Sequence, residues 1–110
     1  MMTSRSNEQP RIVVLSPQAG ESVRDRVRVA GLSDTFEANV VIVARDTNGV
    51  VLARAHTQGG CMVMAPFEIE LSLSARPTAQ DGWIEVYEED PRRGEVQKVT
   101  VPVHFLQAYR

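Results

Sequence analysis

The stretch from Glu88 to Glu95 is rich in charged side chains. Its acidic members are Glu88, Glu89, Asp90 and Glu95. Carboxylates that converge on one point can hold a calcium ion. However, Arg92 and Arg93 lie in the same stretch, and mixed charges in a turn are typical of a solvated surface loop. We therefore predict a charged turn here and no metal site.

The single cysteine and the two histidines of the chain do not form a catalytic or metal-binding motif. A nucleophilic cysteine needs a base and a group that orients the base, and Cys61 is the single cysteine of the chain. Neither His56 nor His104 has a cysteine or a second histidine at the spacing of a metal site. The sequence also lacks the Gly-x-Ser-x-Gly, His-Glu-x-x-His and phosphate-loop motifs. We predict a protein that is not an enzyme, with no catalytic residues and no cofactor.

Trp83 and Tyr87 lie on one face of a predicted strand. Two exposed rings on one face could stack against a sugar, so a carbohydrate- or cell-wall-binding module is the alternative function. Aromatic residues make up only 5% of the chain, which is fewer than we expect of such a module. The favoured interpretation is that Trp83 packs in or beside the core.

Strands must position all of these side chains, because apolar residues recur with a period of two and not at helical spacing. The clearest strand is Phe67–Ser74, in which Phe67, Ile69, Leu71 and Leu73 share one face. Further strands are predicted at residues 11–15, 26–31, 39–44, 50–53, 82–87 and 96–105.

Two predictions rest on turn and proline chemistry. The sequence Asp46-Thr47-Asn48-Gly49 has the composition of a tight hairpin turn, in which Gly49 takes a positive φ. Pro102 lies within the last predicted strand, and proline cannot donate a hydrogen bond to a neighbouring strand. That strand should therefore lie at the edge of a sheet, or at least be unpaired at Pro102.

Seven short strands without a helix predict an all-β, immunoglobulin-like fold, a two-sheet antiparallel β-sandwich. At 110 residues the chain has the size of one domain. We place this domain at residues 11–106, after a disordered tail at residues 1–10 and before a C-terminal tail at residues 107–110.

Charge and hydropathy exclude several kinds of partner. The net charge is −2 with both signs interspersed, so there is no basic stripe for nucleic acid. No segment approaches the roughly 18 apolar residues of a membrane span, and we expect no direct membrane insertion. We expect a monomer, with any covalent dimer formed through Cys61. The location is cytoplasmic if the chain is complete, and extracytoplasmic if it is cut from a longer exported protein.

Seven pieces of the sequence together resemble a known family in their order and spacing. They are Ser16-Pro17 with Gly20 and Val23, Val27–Gly31, Phe36–Val40, Asp46–Leu52, Pro66-Phe67, Glu85–Glu88 and Val101–Val103. The most specific piece is the Phe36-Glu37 pair ahead of a strand that ends in Asp-x-Asn-Gly. From about Ile12 to Phe105 the chain resembles the immunoglobulin-like domain of bacterial spore germination.

The resemblance implies a non-catalytic accessory or protein-interaction module of a bacterial envelope, sporulation or spore-germination related protein. Such domains occur in envelope proteins, often after a GerMN-type domain, so the implied partner is another envelope protein or domain. We assign structural roles to Phe36, Glu37, Gly49, Pro66, Phe67 and Pro102. Glu37 is expected to face inward and to accept hydrogen bonds from backbone amides at one end of the sandwich.

The apolar run Cys61–Ala65 departs from the pattern of the family. It can form a short edge strand in which Met62 and Met64 cap the core, and this interpretation is favoured because methionine fills irregular gaps well. Alternatively, Met62, Val63 and Met64 form an exposed, adaptable contact surface for another envelope domain.

Overall fold

The computed structural model describes residues 10–106, so the tails predicted at residues 1–10 and 107–110 lie outside the described residues, except for Pro10. The described part contains eight strands and one 3-10 turn at Phe36–Ala38. The strands are β1 (Ile12–Ser16), β2 (Glu21–Val23), β3 (Arg26–Ser33), β4 (Asn39–Asp46), β5 (Val51–Gln58), β6 (Ala65–Ser72), β7 (Asp81–Asp90) and β8 (Gly94–Phe105). No helix within residues 10–106 is long and apolar enough to cross a membrane.

The strands form two packed sheets, one of three strands in the order β1-β3-β6 and one of five in the order β2-β8-β7-β4-β5. Neighbouring strands are antiparallel, except that β2 runs parallel to β8. The predicted immunoglobulin-like β-sandwich is confirmed. The sequence pattern missed β2, because only Val23 among its three residues is buried and so short a strand has no readable alternation.

The core lies between the sheets and follows the predicted alternation. In β6, Phe67 and Leu71 are buried while the residues between them face solvent or are only partly covered. The fully buried side chains of the core include Val29, Val40, Ile42, Leu52, Ile84, Val86 and Phe105. Burying each large aliphatic side chain stabilises the fold by about 1.5–3 kcal/mol.

Strand β4 is central, as its apolar residues on both faces predict. It lies between β7 and β5, and one of its faces contributes Val40 and Ile42 to the core. The opposite face carries Val41 and Val43, which form a second buried cluster with Tyr87 of β7. The five-stranded sheet is therefore apolar at its centre on both sides.

Of the two placements predicted for the proline strand, the edge position is wrong. The alternative, a strand unpaired at Pro102, holds on the side that faces β2, where pairing begins after Pro102. β8 lies between β2 and β7, and Pro102 is aligned with Trp83 of β7. The carbonyl of Pro102 accepts the N–H of Gly20, at 2.8 Å, on the side of β8 that faces β2. Within a strand a residue's nitrogen and carbonyl face the same side, so the missing donor faces away from β7. Pairing with β2 begins one residue later, at Val103, which is why proline is tolerated.

A buried carboxylate closes the β4–β5 hairpin. Asp46 is 0% exposed and accepts the N–H groups of Asn48 at 3.0 Å, Val50 at 3.1 Å and Thr78 at 2.8 Å, together with the Thr78 hydroxyl at 2.7 Å. Burial alone would raise the pKa of Asp46, but these four hydrogen bonds hold it below its ordinary value. The positive φ predicted for Gly49 is confirmed at 83°.

We expect Asp46→Asn to lower the free energy of unfolding by roughly 2–4 kcal/mol at neutral pH. The pKa of this carboxyl is lower in the folded than in the unfolded state. Its contribution is therefore fully present above the unfolded value of about 4 and is lost as the pH falls through the folded value. The deficit of the variant should shrink as the pH is lowered in urea-unfolding experiments. Asp25→Asn, at an exposed aspartate, is the control. A deficit that is independent of pH would contradict this role of Asp46.

Candidate functional site

Two loops meet at the end of the sandwich opposite the β4–β5 hairpin. Residues 34–38 connect β3 to β4, and residues 59–64 connect β5 to β6. The N–H of Thr35 donates to the carbonyl of Gly60 at 3.0 Å. The two loops are therefore joined through their backbones, and each fixes the position of the other.

A side-chain bond adds to this connection. The N–H of Met62 donates to Oδ1 of Asp34 at 2.7 Å, and residues Asp34 and Gly60 form an isolated β-bridge. Because Asp34 anchors the middle of the second loop, the apolar residues that follow are held in a defined conformation.

Four large apolar side chains project from these two loops. Phe36 is 58% exposed, Met62 91%, Val63 63% and Met64 39%. Within residues 10–106, eight large apolar side chains are exposed, and these four are half of them. We call Phe36, Met62, Val63 and Met64 the apolar tip.

The prediction that Met62 and Met64 cap the core is wrong. The residues 61–64 form no strand, and both methionines lie at the surface. The loop turns back on itself just after Gly60, so its side chains are carried out of the sandwich instead of over the core. The other predicted possibility, an exposed surface that includes Val63, agrees with these positions.

Two glycines permit this loop geometry. A Cβ atom at Gly60 would lie 1.9 Å from the carbonyl oxygen of Val63, and one at Gly59 would lie 1.9 Å from Oγ of Ser33. Both distances are far below van der Waals contact, so a larger residue would push the loop away from β3. The sequence Gly59-Gly60 therefore determines where the apolar residues after it emerge.

Backbone strain is concentrated at the same place. Four non-glycine residues of the described chain have positive φ, and three of them lie in the two loops: Glu37 at 56°, Ala38 at 64° and Met62 at 66°. Such conformations cost about 1–3 kcal/mol each and persist where the surrounding structure imposes them. The same loops thus combine strained backbone with exposed apolar side chains.

The carboxylate buried beneath the apolar tip belongs to Glu88 and not to Glu37. Glu88 is 2% exposed. Its Oε2 accepts the N–H of Phe36 at 3.2 Å, and its Oε1 lies 3.7 Å from Nη2 of Arg11. Glu37 is exposed, so the prediction that it faces inward is wrong. β7 lies beside β4 in the five-stranded sheet, and its alternation brings the Glu88 carboxylate beneath the turn. The strained turn leaves Glu37 at the surface.

The carboxylates of the acidic stretch do not converge. Each has its own basic partner: Glu88 with Arg11, Glu89 with Arg54, Asp90 with Arg93, and Glu95 with Lys98. The N–H groups of Arg92 and Arg93 donate to Asp90 and hold its pKa below the ordinary value. Among residues 10–106, no group of three or more His, Cys, Asp or Glu side chains is placed to hold a metal ion.

The rings of Trp83 and Tyr87 do not form an exposed platform. Tyr87 is 1% exposed, because the Nζ of Lys98 lies 5.2 Å from its ring centre and Arg54 donates to its hydroxyl at 3.0 Å. Trp83 donates through Nε1 to Glu85 at 2.6 Å. Charged side chains therefore cover the Tyr87 ring, and Trp83 is half-buried, so the two rings offer no common surface to a sugar.

Glu85 connects the charges of this sheet face. Arg45 donates to it at 3.3 Å, and the Nζ of Lys98 lies 3.7 Å away. Burial alone would raise the pKa of Glu85, but the hydrogen bonds from Trp83 and Arg45 and the charge of Lys98 hold it below the ordinary value. Each charged side chain of this network lies within 4 Å of one of opposite sign, while Oε1 of Glu85 is buried without a hydrogen-bond partner among residues 10–106.

The nucleophile and the bases of the sequence are not assembled into a site. Cys61 is exposed in the second loop. His104 lies at the hairpin end, where its Nδ1 is 2.7 Å from Oδ1 of Asp81, and His56 is exposed on the edge strand β5. The thiol and His104 are therefore at opposite ends of the sandwich.

The sequence pattern of the immunoglobulin-like domain of bacterial spore germination matches residues 11–95. This match covers most of the chain and includes both loops, the hairpin and Glu88. The chain belongs to this family. No curated protein and no solved structure matches the chain significantly.

In this germination-family domain, the residues that resemble the family pattern differ in how far they are buried. Phe67 is buried at 3% exposure, whereas Pro66 and Phe36 are exposed. Glu88 was visible in the sequence only as part of an acidic turn. Its spacing of two from Val86, which faces the core, is the signal that could have revealed an inward carboxylate.

We expect Met62→Glu and Met64→Glu to leave the melting temperature of the domain within about 2 °C of the wild type, because surface substitutions change stability little. Leu71→Glu is the matched control, and it should unfold the domain because it buries an unpaired charge. Thermal unfolding followed by circular dichroism distinguishes these results. Unfolding by either methionine substitution would mean that the apolar tip is part of the core.

We expect Glu88→Ala to cost roughly 1–3 kcal/mol of unfolding free energy, because it removes the carboxylate that accepts the Phe36 N–H and faces the Arg11 guanidinium. The neighbouring Glu89→Ala removes an exposed ion pair and should cost less than about 0.5 kcal/mol. Faster hydrogen exchange at the Phe36 amide in Glu88→Ala, but not in Glu89→Ala, would show that the lost stability comes from the bond between Glu88 and Phe36. Equal losses in the two variants would argue against a special role of Glu88.

Proposed function

We propose that this germination-family domain is a non-catalytic accessory module of a spore-germination or envelope-related protein, and that it acts by binding another protein through the apolar tip. Family membership supports the biological setting. The absence of an assembled nucleophile and base among residues 10–106 agrees with a binding role.

The observation that carries this proposal is the exposure of four large apolar side chains on two loops that are bonded to each other. Apolar surface in contact with water is unfavourable by about 25 cal/mol per Å². Exposed apolar patches on small domains commonly mark protein-binding sites. Because hydrogen bonds fix the backbone of both loops, a partner meets a surface whose backbone is already ordered, which lowers the entropic cost of binding.

A carbohydrate-binding role has less support. Stacking on a sugar needs an accessible ring face, and Tyr87 is covered by Lys98 and Arg54. Phe36 is the one aromatic side chain of the apolar tip, and its neighbours there are aliphatic or thioether groups, which suit protein contacts.

Cys61 allows a direct test, because the single thiol of the chain is exposed beside Met62. A photoreactive maleimide attached there should cross-link a protein from a bacterial envelope extract. The product should be lost in a variant that carries Met62→Ser and Val63→Ser. It should persist with Val51→Ser, because Val51 is an exposed valine at the hairpin end.

The position of the probe supplies the second control. A variant with Cys61→Ser and Gln80→Cys carries the photoreactive maleimide at the hairpin end instead. This variant should not give the cross-linked product. Excess unlabelled wild-type domain should compete for the partner, whereas the apolar-tip variant should not. Identical products from both probe positions, or a product insensitive to the apolar-tip substitutions, would disprove the proposal.

A further inference from the structure

Strand β5 is the last strand of the five-stranded sheet, and no strand within residues 10–106 pairs with its outer edge. The N–H of Gly59 donates to the carbonyl of Ala38 at 2.9 Å, on the side of β4. Over residues 53–58 the pairing of β5 with β4 is regular, so the backbone groups of β5 alternate between its two sides. The groups that face away from β4 are the N–H and C=O of Arg54, His56 and Gln58. We call these backbone groups the open edge.

The other three edge strands have features that discourage pairing. β2 has only three residues, β1 has a bulge next to Ser16, and β6 carries Pro66 together with the exposed Glu68 and Glu70. Short length, bulges, proline and charge are the usual ways in which edge strands avoid pairing with another chain. Residues 53–58 of β5 contain no proline and no bulge, so the open edge lacks these protections.

The charge of Arg54 does not guard the open edge either. Its Nη1 donates to the hydroxyl of Tyr87 at 3.0 Å, and its Nη2 lies 3.6 Å from Oε1 of Glu89. Both partners belong to β7, which lies on the far side of β4, so the guanidinium extends over the sheet and away from the edge. Glu68 and Glu70 belong to the other sheet and lie on its outer face, opposite the buried face of β6. Neither glutamate therefore faces a strand that adds to β5.

Both ends of the open edge are closed. The N–H of Ser74 donates to the carbonyl of Leu52 at 2.8 Å and occupies the edge at the hairpin end, and Arg76 follows beyond it. At the other end the chain leaves β5 after Gln58 and crosses to the other sheet, where the N–H of Gly60 bonds to β3 at 3.0 Å. An incoming strand therefore meets three residues with outward backbone groups. A second copy of β5 presents the same three residues between the same closed ends.

We propose that two copies of the domain pair through their open edges, as antiparallel strands around a two-fold axis. All of the outward groups are satisfied when His56 lies opposite the partner's His56 and Arg54 lies opposite the partner's Gln58. The two Arg54 side chains are then at opposite ends of the paired segment, so these like charges do not oppose each other. The two apolar tips point in opposite directions and stay accessible to their own partner.

This dimer is weak. Three residue pairs cover much less than the ~800 Å² per partner of a standard interface. The monomer predicted from the sequence is therefore the main form in dilute solution, and the dimer forms where the domain is concentrated.

Disulfide formation tests the register of the pair. His56→Cys in a Cys61→Ser background places two thiols opposite each other, at the Cα separation of about 5.5 Å of a hydrogen-bonded antiparallel pair, which a disulfide can span. Gln58→Cys in the same background is the matched control. Residue 58 is also exposed on β5, but the two copies of it would lie roughly 14 Å apart. Under mild oxidation, the residue-56 variant should form the covalent dimer at least about tenfold faster.

Sedimentation velocity tests the pairing without added cysteines. The wild type should show a reversible dimer that increases as the concentration is raised to about 1 mM. His56→Pro removes an outward N–H, which an edge strand tolerates, and it should abolish the dimer while circular dichroism still reports the fold. Glu70→Pro makes the same change at the edge of β6 and should leave the dimer unchanged. If His56→Pro does not fold, the two cysteine variants decide.

Three results would overturn the inference. The first is equal cross-linking of the two cysteine variants, and the second is the absence of a dimer in the wild type at about 1 mM. The third is a dimer that persists in folded His56→Pro or that Met62→Glu abolishes, because the apolar tip would then be the contact. None of these results bears on whether the apolar tip binds another protein.

Discussion

The carboxylate of Asp46 holds together parts of the chain that are distant in sequence. It accepts hydrogen bonds from the β4–β5 turn and from Thr78 in the connection between β6 and β7. This connection crosses from the three-stranded sheet to the five-stranded one, so one buried group holds the crossover against the hairpin end of β4. Asn48 reinforces the junction by donating to the Thr78 hydroxyl at 2.9 Å.

The two ends of the sandwich satisfy the backbone N–H groups of their turns and loops in different ways. At the hairpin end, a charged side chain satisfies the backbone donors of the turn. At the other end, the loops satisfy each other through Thr35 and Gly60, while Glu88 supports them from below. A domain fixed at one end tolerates strained backbone at the other, since the cost of positive φ is offset by packing elsewhere. This division explains why strain and exposed apolar groups occur together.

Patterns of neighbouring residues in the sequence predicted most of the fold. Alternation located seven of the eight strands, and the Asp-x-Asn-Gly sequence located the hairpin and the positive φ of Gly49. The errors came from contacts between distant segments. Whether Glu37 or Glu88 turns inward depends on which strand lies beneath the loop, and the tolerance of Pro102 depends on where pairing with β2 begins. Likewise, the apolar character of Met62 predicts a buried side chain. Only the conformation of the Gly59-Gly60 turn shows that this side chain lies at the surface.

The parallel pairing of β2 with β8 bears on how the domain responds to force. The described chain enters beside the apolar tip at Arg11, and β8 ends at the opposite end at Phe105. A pull on the two ends in opposite directions loads the pairs between residues 21–23 and 103–105 along the strand axis. Hydrogen bonds in this shear arrangement must break together and not one after another. Along this axis the three residue pairs of β2 and β8 therefore resist separation as a group.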